Sequence, residues 1–174
     1  LSSRSVAQVV ICDNSTVETS NCETARKLGI DYFSMGGNKG ISVAYNEGVR
    51  HCAGNVICLF DDDTEVGRDY FTAIDALLHS RREWDVALPL VMNKETVLSP
   101  CIFRGYRARL FSGPECVKEC ADLSGINSGM AIKKSLLETV RHDESLFLDL
   151  VDHKFISDAK RVGGRVVYLE GPVL

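Results

Sequence analysis

The chain has 174 residues, of which 45% are hydrophobic and 25% charged, and a net charge of −4. This is length enough for one domain with a sizeable core, at an ordinary globular composition. The acidic balance argues against a general nucleic-acid surface. No apolar run approaches the roughly 20 residues of a membrane-spanning helix, and the start lacks a charged-then-apolar signal pattern.

The elements alternate. Val6–Cys12 reads as a buried strand that runs into the turn formers Asp13-Asn14-Ser15. A helix over about 18–28 ends at Gly29, and Asp31–Ser34 is a short strand. The loop Gly36-Gly37-Asn38-Lys39-Gly40 precedes a helix over 41–53, where Ile41, Ala44, Val49 and Cys52 recur at helical spacing. Strand 56–60 ends in Asp61-Asp62-Asp63, and a helix over 68–82 turns Phe71, Ile74, Leu77 and Leu78 to one side. Val86–Leu88 is a further strand. Residues 89–125 carry three of the four prolines and are read as loops with short strands, a usual place for substrate-specific elements. Asn127-Ser128-Gly129 then leads into a strand at 130–132. Helices follow over 134–140 and 149–162, the second closed by Gly163-Gly164, and 166–169 is the last strand. Repeated β-α units point to one α/β layer domain with a largely parallel sheet.

The acidic triad is the sharpest local feature. Three carboxylates cannot be buried unpaired at the end of an apolar strand, so they face water or a cation at the strand mouth. Ligands bind at that edge in open α/β sheets, and clustered carboxylates suit a hard divalent ion that also grips phosphate. A solvated acidic turn ahead of a helix is the plain alternative. Asp13-Asn14-Ser15 lies at the same edge if the two strands are parallel. The Gly36–Gly40 loop can cradle phosphate through backbone N–H groups and Lys39, or merely connect two elements; it is neither a P-loop nor a G-x-G-x-x-G. Asp149 and Asp152 share a helix face, either as helix-start charges or as a general base near the cation. His51, His142 and His153 are scattered and read as structural. The haloacid-dehalogenase phosphatase pattern fails, because Asp61-x-Asp63-x is followed by Glu65. Seven cysteines form no C-x-x-C pair or zinc spacing, and the odd count without a secretory signal suits a reducing cytosol.

Taken in order, these segments resemble the family-2 glycosyltransferases, especially their rhamnosyltransferase-like branch. The matching stretches are Val9–Ser15, Gly37–Gly48 (G-N-x-G-x-x-x-A-x-N-x-G), Leu59–Asp63 ending in D-x-D, Asn127–Gly129, Phe147–Asp152 (F-x-D-x-x-D) and Gly164–Tyr168. The resemblance implies a GT-A fold: a Rossmann-like, mostly parallel α/β sheet flanked by helices. It implies a single catalytic domain over 1–174, with a nucleotide-binding half over about 1–88 and an acceptor half over about 89–174. It further implies inverting transfer from a nucleoside-diphosphate sugar to a hydroxyl of a glycan or lipid-linked acceptor, in polysaccharide assembly. Site roles carry over from the motifs. Asp13 would contact the donor base, with Asn38, Lys39, Asn46 and Asp61 bordering the nucleotide. Asp63, with Asp61, would bind Mg2+ or Mn2+. Asp152 would be the base and Asp149 its reserve.

The family's opening strand and a His beyond the last strand are absent, and Lys154 and Asp158 stand where an acidic residue and an Arg are common. The chain therefore reads as the core of a longer protein, cytoplasmic, with peripheral membrane association at the inner face as a partner expectation. A nucleotidyltransferase and a non-catalytic nucleotide-sugar-binding domain are the competing readings. Arg104, Tyr106, Arg107 and Arg109 are either a contact for an anionic or lipid-linked acceptor or a solvated basic loop.

Overall fold

The computed structural model describes residues 6–17 and 19–174, so position 18, where the first helix was expected to begin, lies outside the described residues. Strand β1 (Val10–Asp13) is followed by helix α1 (Asn21–Leu28), strand β2 (Asp31–Ser34), helix α2 (Ile41–His51), strand β3 (Val56–Cys58) and helix α3 (Arg68–His79). The rest comprises β4 (Val86–Asn93), β5 (Thr96–Ser99), β6 (Cys101–Arg104), β7 (Arg107–Leu110), α4 (Pro114–Lys118), β8 (Ala131–Lys133), α5 (Lys134–Leu137), α6 (Val151–Arg161) and β9 (Val166–Val173). Gly29 ends α1 in the left-handed conformation, φ 67°, where a side chain is costly.

Four strands form the centre. β8 lies between β3 and β4 and runs antiparallel to both, while β9 pairs parallel with β4. β3, β4 and β9 therefore point the same way and β8 is inverted. The sheet is mixed rather than mostly parallel, because apolar alternation shows that a strand is buried but not its direction. β1 and β2 pair parallel, from Val10 with Asp31 to Asp13 with Ser34. The region 89–125 is more regular than its prolines suggest. It holds the continuation of β4, the strand β5 paired with it, the β6–β7 hairpin and α4.

Period-2 alternation builds a core on each face of the sheet. Val86, Leu88, Met130, Ile132 and Tyr168 pack with Phe155, Ile156 and Ala159 of α6 on one side. Ala87, Ala131, Val167 and Leu169 pack with Tyr70, Ile74 and Leu77 of α3 on the other. Helices on both faces leave the ends of the strands as the open edge, and the polar motifs gather there.

Candidate active site

The inverted β8 is what assembles this edge. The Leu59 N–H donates to the Met130 carbonyl at 2.9 Å and the Gly129 N–H to the Leu59 carbonyl at 2.8 Å. These bonds carry the β3–β8 ladder past the end of β3. They bring Ser128, just ahead of β8, beside Asp61, just after β3. The Ser128 hydroxyl donates to Asp61 Oδ2 at 2.5 Å, and the Tyr45 hydroxyl of α2 donates to Oδ1 at 2.7 Å. Burial and then the Asp61 charge push the Tyr45 phenol pKa up, so it stays a donor. Asp61 is thus held inward from both oxygens, while Asp62 and Asp63 stand exposed in the turn closed by Thr64 N–H to the Asp61 carbonyl, 3.2 Å.

Asp152 is half-buried in the first turn of α6. Its Oδ1 accepts from the His153 N–H at 2.7 Å. Burial raises its pKa, His153 opposes the rise, and the Asp61 charge adds a little to it. The preceding residue but one, Leu150, takes a left-handed backbone at φ 66°. A branched side chain there stores strain of roughly 1–3 kcal/mol, and such strain marks a turn fixed by its surroundings. Asp149, on the exposed side of that turn, is accessible and without a side-chain bond among the described residues. The expected base and its reserve therefore differ in environment: Asp152 is half-buried, and Asp149 is exposed.

Asp13 has the opposite environment. It is 7% exposed at the end of β1. Oδ1 accepts from the Ser15 N–H at 2.9 Å, and Oδ2 accepts from Thr19, Asn21 and Tyr32 at 3.2, 2.9 and 2.9 Å. Hydrogen bonding from Ser15, then from Asn21 and Tyr32, outweighs burial and holds the carboxyl far below the usual range. Four donors leave Oδ1 room for one more.

Part of the glycine loop's backbone is engaged within the protein. The Lys39 N–H donates to Asn14 Oδ1 at 2.8 Å, the Gly40 N–H to Asn38 Oδ1 at 3.1 Å, and the Ile41 N–H to the Phe147 carbonyl at 2.9 Å. Those groups are satisfied inside the protein. The Asn14 amide also donates to the Gly40 carbonyl at 3.2 Å and so pins the loop to the end of β1. Gly40 has φ 91°, and a Cβ there would lie 2.9 Å from the Phe147 ring, which explains the glycine by close approach. Asn38 and Lys39 are exposed on this loop.

Asn46, expected to border the nucleotide, is buried and fully engaged in joining α2 to the segment before α6. Its amide donates to the His142 carbonyl at 2.8 Å and to Glu144 at 2.9 Å, and its Oδ1 accepts from the His142 N–H at 3.0 Å. Its contribution is to position that segment. His142 is 2% exposed and stacks on Phe155 at 4.5 Å; burial brings its pKa down to about 4, consistent with a structural role. His51 also fits that reading, stacked on Phe33 at 3.6 Å. His153 does not. Its Nδ1 lies 2.8 Å from the Ser124 hydroxyl and its ring stacks on Phe103 at 3.9 Å, directly beside Asp152.

Tyr45 and Ser124 carried no expectation from the sequence, Ser128 was read only as part of the Asn127-Ser128-Gly129 segment, and His153 was read as structural. Tyr45 lies inside a matched motif, but at a position where the motif fixes no chemistry. Their roles depend on β8 and α6 folding back to Asp61.

Among the described residues no group of three or more His, Cys, Asp or Glu side chains is arranged to hold a metal ion. The donor set at the edge suits a different kind of site. One exposed carboxylate, Asp63, beside a braced one, Asp61, offers few hard oxygens, as for Mg2+-type ions that complete their shell with phosphate oxygens and water.

The fold is that of the GT-A glycosyltransferases: a mixed central sheet flanked by helices. The family described as "Glycosyl transferase family 2" matches residues 5–86, the stretch that holds Asp13, the glycine loop and Asp61–Asp63. A crystal structure of GalNAc-T7 with UDP, GalNAc and Mn2+ superposes with a TM-score of 0.69 at 14% identity, over 94% of this chain and 36% of that one. S. aureus TarS 1-349 superposes at 0.64 and 18% identity, over 95% of this chain and 49% of that one; its complex with UDP also gives 0.64, at 16% identity. The chain thus spans about a third to a half of the length of these structures. No curated protein matches it in sequence.

Proposed function

We propose that this chain is the catalytic core of an inverting glycosyltransferase that moves a sugar from a nucleoside-diphosphate donor to an acceptor hydroxyl. The observation that carries the reading is the acidic edge of a GT-A sheet: Tyr45 and Ser128 hold Asp61 at 2.7 and 2.5 Å with exposed Asp63 beside it, and Asp152 is a half-buried carboxylate whose burial raises its pKa. The family match in the first half and the neighbours solved with UDP support the donor class. The ordered motifs support the rhamnosyltransferase-like branch.

In this reading residues 1–88 hold the donor. Asp13 offers its remaining Oδ1 capacity to a ring N–H of the base, and Asn38 and Lys39 border the nucleotide from the loop above α2. Asp63, with Asp61 behind it, would hold a divalent ion such as Mg2+ or Mn2+, which offsets charge on the diphosphate leaving group. Residues 89–174 present the acceptor. Asp152 accepts the hydroxyl proton as the hydroxyl oxygen bonds to the anomeric carbon. The bond from that carbon to the diphosphate oxygen breaks, and its electron pair leaves with the diphosphate. One base and one displacement invert the anomeric centre. Tyr45 and Ser128 keep Asp61 from competing for the proton by bonding to both of its oxygens.

Thermal-shift measurements with UDP-, GDP- and dTDP-sugars, with and without Mn2+, test the donor class. At least one nucleotide sugar should raise the Tm, more so with the metal. No stabilisation by any of them would remove the basis for this function.

A further inference from the structure

The β6–β7 hairpin concentrates positive charge on a protein whose net charge is −4. Its register places Arg104 opposite Arg107 and Ile102 opposite Arg109. Directly opposed residues share a face, as do residues two apart along a strand. Arg104, Arg107 and Arg109 therefore line one face of a two-stranded ribbon, with Cys101, Phe103, Ala108 and Leu110 on the other. All four residues of β7 are exposed. Opposed like charges destabilise a strand pair, and only one carboxylate relieves this pair. Arg104 donates to Asp122 at 3.2 Å, and Asp122 is shared with Lys160 at 2.7 Å. Among the described residues Arg107 and Arg109 have no ion-pair partner.

The tip adds a second, independent observation. Gly105 and Tyr106 both have positive φ, 52° and 70°, the conformation of a two-residue type I′ turn. Glycine, Asn or Asp suits such positions, and an aromatic residue is strained there. Tyr106 is nevertheless 84% exposed, so it gains nothing from packing. An exposed aromatic ring in a strained backbone, above a row of guanidinium groups, suits a ligand with both sugar rings and anions.

The other face ties this ribbon to the candidate base. Cys101 is 1% exposed and bonds with Ser124 in both directions, at 2.7 and 2.8 Å. Ser124 in turn contacts His153, and Phe103 stacks on the same ring. The arginine face thus lies on the side of the ribbon away from His153, while its support rests on that residue next to Asp152.

We propose that the arginine face of the β6–β7 hairpin is an exosite for an anionic glycan acceptor, whose repeats carry phosphate or carboxylate groups and whose sugar ring stacks on Tyr106. The substrate class rests on the glycosyl-transfer reading above. Successive arginines on one strand are roughly 7 Å apart, so the exosite holds neighbouring repeats while a hydroxyl of the same chain reaches Asp152. It contributes to acceptor binding and leaves the chemical step unchanged.

The test compares binding of the full chain to polygalacturonate, inorganic polyphosphate, neutral dextran and phosphatidylglycerol vesicles, alongside its thermal shift with nucleotide sugars. The anionic polymers should bind, more weakly as salt rises, and dextran should not. Arg107→Glu with Arg109→Glu should weaken that binding on the order of tenfold, about 1.4 kcal/mol, with the nucleotide thermal shift unchanged. Tyr106→Gly should raise the Tm by about 2–4 °C through relief of backbone strain. It should also weaken polygalacturonate binding more than polyphosphate binding, a combination that a purely structural residue does not give. The proposal is overturned if the double reversal leaves polymer binding intact. It is equally overturned if the vesicles bind as tightly and with the same sensitivity, which would make this a membrane face. If no nucleotide sugar stabilises the chain, the transferase reading fails separately, and the polymer comparison still decides whether the hairpin is a polyanion site.

Discussion

Asp13 closes β1 and Asp152 lies in the first turn of α6, and their hydrogen-bonding surroundings differ. Asp13 receives four hydrogen bonds, which hold its pKa down. Among the described residues Asp152 receives one, from its own neighbour, and burial pushes its pKa up. When environments drive two carboxylates apart in this way, their roles separate. The well-satisfied one is a fixed anion that orients other groups. The poorly satisfied one is ready to take a proton.

The largest expected effect breaks the second half of that contrast. Asp152→Asn should lower transfer by about 10²–10⁴-fold, the usual contribution of a general base, with donor affinity within a few-fold of wild type in parallel titrations. Lost donor binding would assign Asp152 to the nucleotide instead. The reverse pattern is expected at Asp13. Asp13→Asn leaves several donors short of an acceptor and should cost about 1–3 kcal/mol of folding stability, measured by denaturant titration, together with weaker nucleotide binding. Its sign with pH is fixed. The folded pKa lies below the unfolded value of about 3.9, so the wild-type advantage is present above about pH 4 and is lost as acid titrates the folded carboxylate. The variant should show a shallower loss of stability in acid.

Smaller effects sharpen the comparison. Asp63→Ala should remove the Mn2+ increment from the nucleotide thermal shift while leaving stability near wild type, since the residue is exposed and outside the core. Persistence of the full metal increment would place the ion elsewhere. Phe103→Ala removes one side of the His153 stack. An aromatic pair contributes about 0.5–1.5 kcal/mol beyond its area, so a small loss of stability is expected, with a rise in acceptor KM exceeding any change in donor affinity.

Much of this architecture was legible before any coordinates. Asp31–Ser34 is a strand with the expected limits, and the helices beginning at Ile41 and Arg68 start where their periodicity predicts. Local pattern and local structure agree there because one amphipathic face decides both. Strand direction was not legible. β8 carries the same apolar signature whichever way it runs, yet its inversion is what delivers Ser128 to Asp61. The glycine loop shows a subtler limit. Its composition suggested a phosphate cradle, but Asn14 and Asn38 side chains already accept the N–H groups of Lys39 and Gly40. Residues that only complete a site through long-range packing, such as Tyr45 on α2 and His153 on α6, carry no signal in their own segments. The motif already ranked Asp152 ahead of Asp149, but the difference in burial between them, across the strained turn at Leu150, carries no local signal.

The pH dependence of kcat tests the central claim most directly, measured on the wild type and on Asp152→Glu. The account predicts a rate that rises with pH as Asp152 loses its proton, with a midpoint above the ordinary aspartate value of about 3.9, and a midpoint that moves in the variant. A rising limb at or below that value, or one that is the same in both proteins, would contradict the assignment of Asp152 as the base.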